Sequence, residues 1–166
     1  MKLCYQVATP DVAIADSVTA YQGPLAKSFG DLASLGYDGV ELMTLDPTKL
    51  DWAEVKAEAE KNHLSVVLVC TGEVFGQLHW SFTDPDEEIR RKAIERTKVI
   101  IDFASYLGAN VNFGRIRGQY CSAMSKEETE ELAVKAFQEL SDYAAPKNVA
   151  LALETVTIMQ TNFINT

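Results

Sequence analysis

The sequence predicts an α/β fold built on a parallel sheet, and three observations carry that prediction. Short apolar runs alternate with amphipathic helical patterns along the whole chain. No antiparallel hairpin signal separates them, so successive strands must be joined by helical crossovers, which are right-handed. The ends of the strands carry isolated polar and charged residues, and no glycine-rich phosphate loop follows the first strand as an open flavodoxin-like sheet would lead one to expect. Together these point to part of a (β/α)8 barrel, with about five parallel strands and four complete helices.

The elements follow in order. Leu3 to Ala8 is the first strand; Leu25, Phe29, Leu32, Ala33 and Leu35 then recur at helical spacing until Gly36. Gly39-Val40-Glu41-Leu42-Met43 is the second strand, and a helix follows with Asp51 as N-cap and Glu54 completing a capping box. Ser65-Val66-Val67-Leu68-Val69-Cys70 is β-branched, apolar and too short for a helix, as a strand buried on both faces must be. The longest helix is expected to start near Asp84, with Pro85 in its first turn and Glu87 closing a second capping box. Its inner stripe runs from Ile89 to Leu107, and Arg90, Arg91, Lys92, Glu95, Arg96, Lys98 and Asp102 read as a solvated face. Val111-Asn112-Phe113 is the fourth strand. Ser125 and Glu128 open a helix that Pro146 stops, and Val149 to Glu154 is the fifth strand, ending on a carboxylate.

Residues 1–166 read as a single domain, since no Pro/Gly/Ser-rich linker divides them. The length of 166 residues falls short of the ~250 of a complete barrel, so the expectation is the N-terminal part of one, truncated after strand five. A formal charge of -9 argues against nucleic acid as a partner. No signal peptide and no bilayer-spanning run is apparent. Three cysteines without a CxxC pair fit reduced thiols, so a cytoplasmic protein with no membrane association is expected.

Functional groups in parallel α/β folds collect at the C-terminal ends of the strands. That rule selects Gln6, Glu41, the stretch from Thr71 to His79, Arg115, Arg117 and Glu154. A half-desolvated carboxylate at the mouth, as Glu154 would be, is costly unless paired or bound to a cation. Its functional reading is a ligand for a hard divalent cation, with proton transfer next to a carbonyl; the plain reading is an acid paired with a nearby arginine. Glu41 points opposite to Val40 and Leu42, toward the pocket or toward an outer lysine. In an extended Gly114-Arg115-Ile116-Arg117-Gly118 segment the two arginines share a face and can grip one anion such as a sugar phosphate, unless they serve as a structural pair. His79 sits in an aromatic-rich loop, Phe75 to Trp80, above the expected mouth.

These residues resemble the xylose isomerase-like TIM barrels, and within them the sugar phosphate isomerase/epimerase branch with its tagatose and psicose 3-epimerases and hydroxypyruvate isomerases. The resemblance is carried by Gly36-Tyr37-Asp38-Gly39-Val40-Glu41-Leu42, the stretch from Asp84 to Arg90, Ala104 to Gly108, Gly114 to Gly118 and Leu151-Ala152-Leu153-Glu154. Thr161 to Thr166 looks like the start of the helix after strand five. The resemblance implies a divalent metal (manganese, cobalt or magnesium, with zinc a further candidate). Glu154 would be one ligand and a participant in proton transfer, and the remaining ligands would come from strands six to eight. It implies a sugar or sugar phosphate as substrate; the strand-end residues Gln6, Glu41, His79, Arg115 and Arg117 are the candidate substrate contacts. Where relatives often carry proline and asparagine after that glutamate, this chain has Thr155 and Thr157. A metal-dependent lyase of the inosose dehydratase type and a catalytically inactive half-barrel are the alternatives. The endonuclease IV arm of the superfamily is disfavoured by the charge and by the scarcity of histidines. Two open sheet edges lead to the expectation of a homo-oligomer or a partner half-barrel.

Overall fold

The computed structural model describes residues 2–165. Five strands, β1 (Cys4–Ala8), β2 (Gly39–Met43), β3 (Ser65–Cys70), β4 (Asn110–Phe113) and β5 (Leu151–Leu153), form one sheet in the order β1-β2-β3-β4-β5. Every pairing is parallel. β1 and β5 are therefore the two edges of an open arc, the partial barrel that the alternation of patterns predicts. The register slips once between Val40 and Glu41 in the β2–β3 pairing, an irregularity that adds local twist beside Glu41.

Five α-helices accompany the strands: α1 (Leu25–Ser34), α2 (Trp52–Lys61), α3 (Gly72–Leu78), α4 (Glu87–Leu107) and α5 (Lys126–Ala144). The seven-residue α3 is one more than expected; the segment that reads as an aromatic loop coils directly off the end of β3. Glycines at both Gly72 and Gly76 hide its helical pattern from the sequence.

The caps refine the predicted helix starts. Asp51 caps α2 by accepting from Ala53 and Glu54 N–H, without the return bond that would complete a box. α4 starts later than expected: Asp86, not Asp84, is its N-cap, because Asp84 is used to accept from the Asp86 N–H in the turn before it. Ser125 and Glu128 form the full reciprocal capping box of α5.

The sheet face toward the helices is dry. Val7, Val40, Leu42, Val69 and Val111 are 0% exposed and pack on Phe29, Leu32, Val55, Ile100 and Leu140 from the helices. Each such aliphatic contributes roughly 1.5–3 kcal/mol by leaving water. Two side chains depart from the predicted pattern. Leu35, counted in the inner stripe of α1, is 72% exposed because the helix ends at Ser34. Arg96, counted in the solvated face of α4, turns inward to pair with Asp46 at 3.2 Å and to donate to the Leu45 carbonyl, lying over Trp80. No helix is long and apolar enough to cross a membrane among the described residues.

Candidate active-site cavity at the C-terminal ends of the strands

Side chains alternate across a strand, so the positions between the buried valines face the opposite side of the sheet. On that inner face Gln6 of β1, Glu41 of β2 and Asn112 of β4 converge, joined by Glu154 just beyond β5. The Gln6 Nε2 donates to Glu41 Oε1 at 3.1 Å. The Asn112 Nδ2 bridges both acids, donating to Glu154 Oε2 at 3.1 Å and to Glu41 Oε1 at 3.4 Å. Asn112 is 7% exposed, and its Oδ1 is buried with no hydrogen-bond partner. The Cys70 thiol lies beside Glu41 at the end of β3; burial, reinforced by the negative charges of Glu41 and Glu154, pushes its pKa up to about 12.

A cavity of about 180 Å³ opens above these groups, lined by Gln6, Cys70, Glu73, Arg115, Glu154 and Val156 among others. Glu73, in the first turn of α3, is 4% exposed and accepts from Arg115 Nη2 at 3.3 Å and from Gln77 Nε2 at 3.0 Å. Arg115 also donates to the Gly72 carbonyl at 3.4 Å and stands over the Phe75 ring. Gly114 keeps the backbone close to the carboxylate: a Cβ there would lie 3.1 Å from Glu154 Oε2.

The arginine pair is not built as the extended reading expected. Arg115–Arg117 is a single 3-10 turn, so the two guanidinium groups part company. Arg115 lines the cavity, whereas Arg117 is 0% exposed and, among the described residues, donates only to backbone carbonyls, those of Gly114, Glu154, Phe163 and Ile164. Neither arginine meets the Glu154 carboxylate, whose hydrogen-bond partner is Asn112. Nor is that carboxylate half desolvated in this chain, because Glu154 is exposed. His79 stands exposed at the C-terminal end of α3 in a left-handed conformation (φ 57°), outside the residues that line the cavity.

Residues 161–165 form no helix, contrary to the expectation for Thr161 to Thr166, of which Thr166 lies outside the described residues. They fold back instead as a strap over the turn after β4. Thr161 Oγ1 donates to the Gly118 carbonyl at 2.9 Å, and the Asn162 side chain pairs with both backbone groups of Tyr120. Phe163 meets the Tyr120 ring edge-on, 4.9 Å between centroids. Gly118 is obligatory there: its φ is 94°, and a Cβ would fall 1.9 Å from Thr83 Oγ1.

Asn112 and Cys70 escaped the strand-end rule, whereas Glu73 lies within the Thr71 to His79 stretch that it selected. Asn112 was within reach of the sequence, since a polar residue between Val111 and Phe113 must face away from the helices. No group of three or more His, Cys, Asp or Glu side chains comes together in a metal-binding arrangement among the described residues. The residues of this chain therefore do not by themselves fit the four-ligand metal centre that the family resemblance implies.

Comparison with known proteins identifies the fold. Residues 29–166 match the family described as Xylose isomerase-like TIM barrel. Over 147 residues the chain is 31% identical to L-ribulose 3-epimerase of Methylomonas sp. (strain DH-1), covering 84% of this chain and 48% of that enzyme. D-allulose 3-epimerase from Methylomonas sp., solved with D-allulose, superposes with a TM-score of 0.73 at 26% identity over 99% of this chain and 55% of its own. The 3-keto-D-glucoside 4-epimerase of E. coli shares the fold with a TM-score of 0.73 at 21% identity, over 100% of this chain and 60% of that one. The chain thus spans about half the length of the curated relative it matches. With its strand order, its parallel pairing and this match, the chain belongs to the xylose isomerase-like TIM-barrel family, and its relatives are epimerases of the tagatose/psicose branch.

Proposed function

We propose that this chain supplies the first five strands of a sugar epimerase, and that Glu154 is the carboxylate that moves a proton on the carbon next to the substrate carbonyl. The single observation that carries the reading is the position of Glu154. It lies at the end of β5, over a cavity ringed by polar side chains, in a chain 31% identical to a ketose 3-epimerase. One carboxylate oxygen is held by Asn112, which leaves the other free toward the cavity. Epimerisation needs a base that removes the proton from one face of the carbon and an acid that returns one to the opposite face; Glu154 is competent for one of these transfers, and the other would fall to a group outside these five strands. Gln6 offers a polar contact to sugar hydroxyls from the cavity wall, Glu41 holds Gln6 from outside the lining, and Arg115 offers a cation already balanced by Glu73. In a complete barrel Glu154 would be one oxygen ligand of a divalent metal, whose contribution there would be that of a Lewis acid.

The same observations favour a second statement about the chain on its own. No three His, Cys, Asp or Glu side chains gather around Glu154 among the described residues, so residues 1–166 alone are expected to turn over no ketose. Its open β1 and β5 edges pair with a second copy or with a complementary half-barrel. A stable monomer on gel filtration, with no exposed apolar surface detected by dye binding, would contradict that association.

The test joins residues 1–166 to the later strands of the Methylomonas L-ribulose 3-epimerase, with folding verified by a cooperative melt. In deuterium oxide the chimera is expected to place deuterium at carbon 3 of L-ribulose. Glu154→Gln is expected to slow that exchange by roughly 10²–10⁴-fold, the range for loss of a positioned base. Exchange that continues at the same rate in the Gln variant overturns the assignment.

A further inference from the structure

We infer that Arg117 is a positioning residue for Glu154, acting through main-chain carbonyls and never touching substrate. Four of its five N–H groups are committed. Nε donates to the Phe163 carbonyl at 3.0 Å, Nη1 to those of Gly114 at 2.9 Å and Glu154 at 2.6 Å, and Nη2 to that of Ile164 at 3.0 Å. The group is wholly buried, yet no carboxylate oxygen is among these acceptors.

Such an arrangement is costly. A buried cation loses its hydration and, among the described residues, recovers it here from carbonyl dipoles. Burial accordingly pulls the Arg117 pKa down from its ordinary value, and only the negative charge of Glu154 opposes that fall. Ordinary packing does not require a guanidinium at this place, because an aliphatic side chain would fill the space without the desolvation cost. What an aliphatic side chain cannot do is bind three separate pieces of backbone at once: the turn after β4, the residue that ends β5, and the strap at Phe163–Ile164.

The geometry gives that clamp a consequence for Glu154. Its main chain is held from two sides, with its N–H donating to the Phe113 carbonyl at 3.1 Å and its carbonyl accepting from Arg117. With both peptide groups fixed, the side chain leaves the strand in one direction, toward Asn112 Nδ2 and the cavity. Glu41, on β2, depends on Gln6 and Asn112 and has no contact with this clamp. Removal of Arg117 should therefore release Glu154 and the strap while leaving Glu41 in place. This positional claim does not depend on what Glu154 does; only its importance for proton transfer rests on the proposed function.

The experiment is nuclear magnetic resonance on the full 166-residue chain, comparing wild type, Arg117→Ala and Arg117→Lys. In the wild type the Arg117 Nε–H should exchange slowly with solvent, as a buried donor does. In Arg117→Ala, amides from Glu154 through Asn165 should exchange at least about tenfold faster, with those of β2 and β3 unchanged. The contact between the Asn112 amide and the Glu154 side chain should vanish, while that between Asn112 and Glu41 persists. Free guanidinium, at concentrations below about 0.1 M and so far under the denaturing range, should restore the lost contact; ammonium should not. Arg117→Lys keeps the charge without the fork and should behave like Arg117→Ala. Three results overturn the inference: a rapidly exchanging Arg117 Nε–H in the wild type, faster exchange spread equally over β2 and β3, or an Asn112–Glu154 contact that survives in both variants. Should Arg117→Ala not fold, the wild-type exchange measurement and the lysine variant decide alone. None of these readouts uses turnover, so a failed epimerase reading leaves this result standing.

Discussion

The two faces of the sheet are built on opposite terms. The face toward the helices carries Val7, Val40, Leu42, Val69 and Val111, all 0% exposed, in one continuous core. The inner face carries Gln6, Glu41, Asn112 and, past the strand end, Glu154, linked by hydrogen bonds beneath an open cavity. Both faces arise from the same strands by simple alternation. The first is a dry core that supplies most of the apolar burial. The second holds the candidate chemistry, and among the described residues its apolar packing is confined to a small cluster of Ala8 and Met43 with Val12, Val18 and Ala20.

The largest expected contrast lies in truncations on the two faces. Phe29→Ala, which opens a cavity beneath the helix-facing core, should cost about 3–5 kcal/mol by chemical denaturation. Gln6→Ala removes one part-buried hydrogen bond on the inner face and should cost about 1 kcal/mol or less. Equal costs would break the distinction.

A sharper test uses the thiols. Cys70 belongs to the inner face but is buried, with a pKa pushed up to about 12 by desolvation and by the nearby Glu41 and Glu154, while Cys4 is exposed. A thiol reagent at mildly alkaline pH should therefore label Cys4 promptly and Cys70 only on unfolding, because the thiolate is the reactive form. Prompt labelling of Cys70, followed by mass spectrometry, would mean that the inner face is open further down than the cavity floor.

The smallest effect is expected on the outside of the helices. Lys98 and Arg91 hold the Glu139 carboxyl below the usual carboxylate range, Lys98 contributing most. A depressed folded-state pKa adds stability above the unfolded value and forfeits it as pH falls through the folded one. Glu139→Gln should therefore destabilise the chain slightly near neutrality, by roughly 0.2–1 kcal/mol, and the difference from wild type should vanish in acid. A difference that grows on acidification would reverse the sign of this account.

Much of the fold was legible in the sequence because it rests on periodicity and on stops. The run from Ser65 to Cys70, the Gly36 and Gly108 helix ends, and the Ser125 and Glu128 box all appear where their patterns put them. What was not legible depends on competition between nearby partners. Asp84 is the expected start of the long helix, but it accepts from the Asp86 N–H in the turn that contains Pro85, and Asp86 caps α4 instead. Arg115 and Arg117 look alike as a pair, but a 3-10 turn sends one to the cavity and the other into the backbone. Glu154 stood out through the rule that strand ends carry function. Its partner Asn112 did not: its place between Val111 and Phe113 turns it inward, but a lone amide names no chemistry until its neighbours are in place.

The most direct test separates the two faces within one variant of the epimerase chimera. Glu154→Gln should leave the unfolding free energy within about 0.5 kcal/mol of the parent, since the side chain is exposed, while hydrogen exchange at carbon 3 of the ketose falls by roughly 10²–10⁴-fold. A variant that loses stability yet keeps its exchange rate would contradict the account, for it would make Glu154 part of the scaffold rather than of the chemistry.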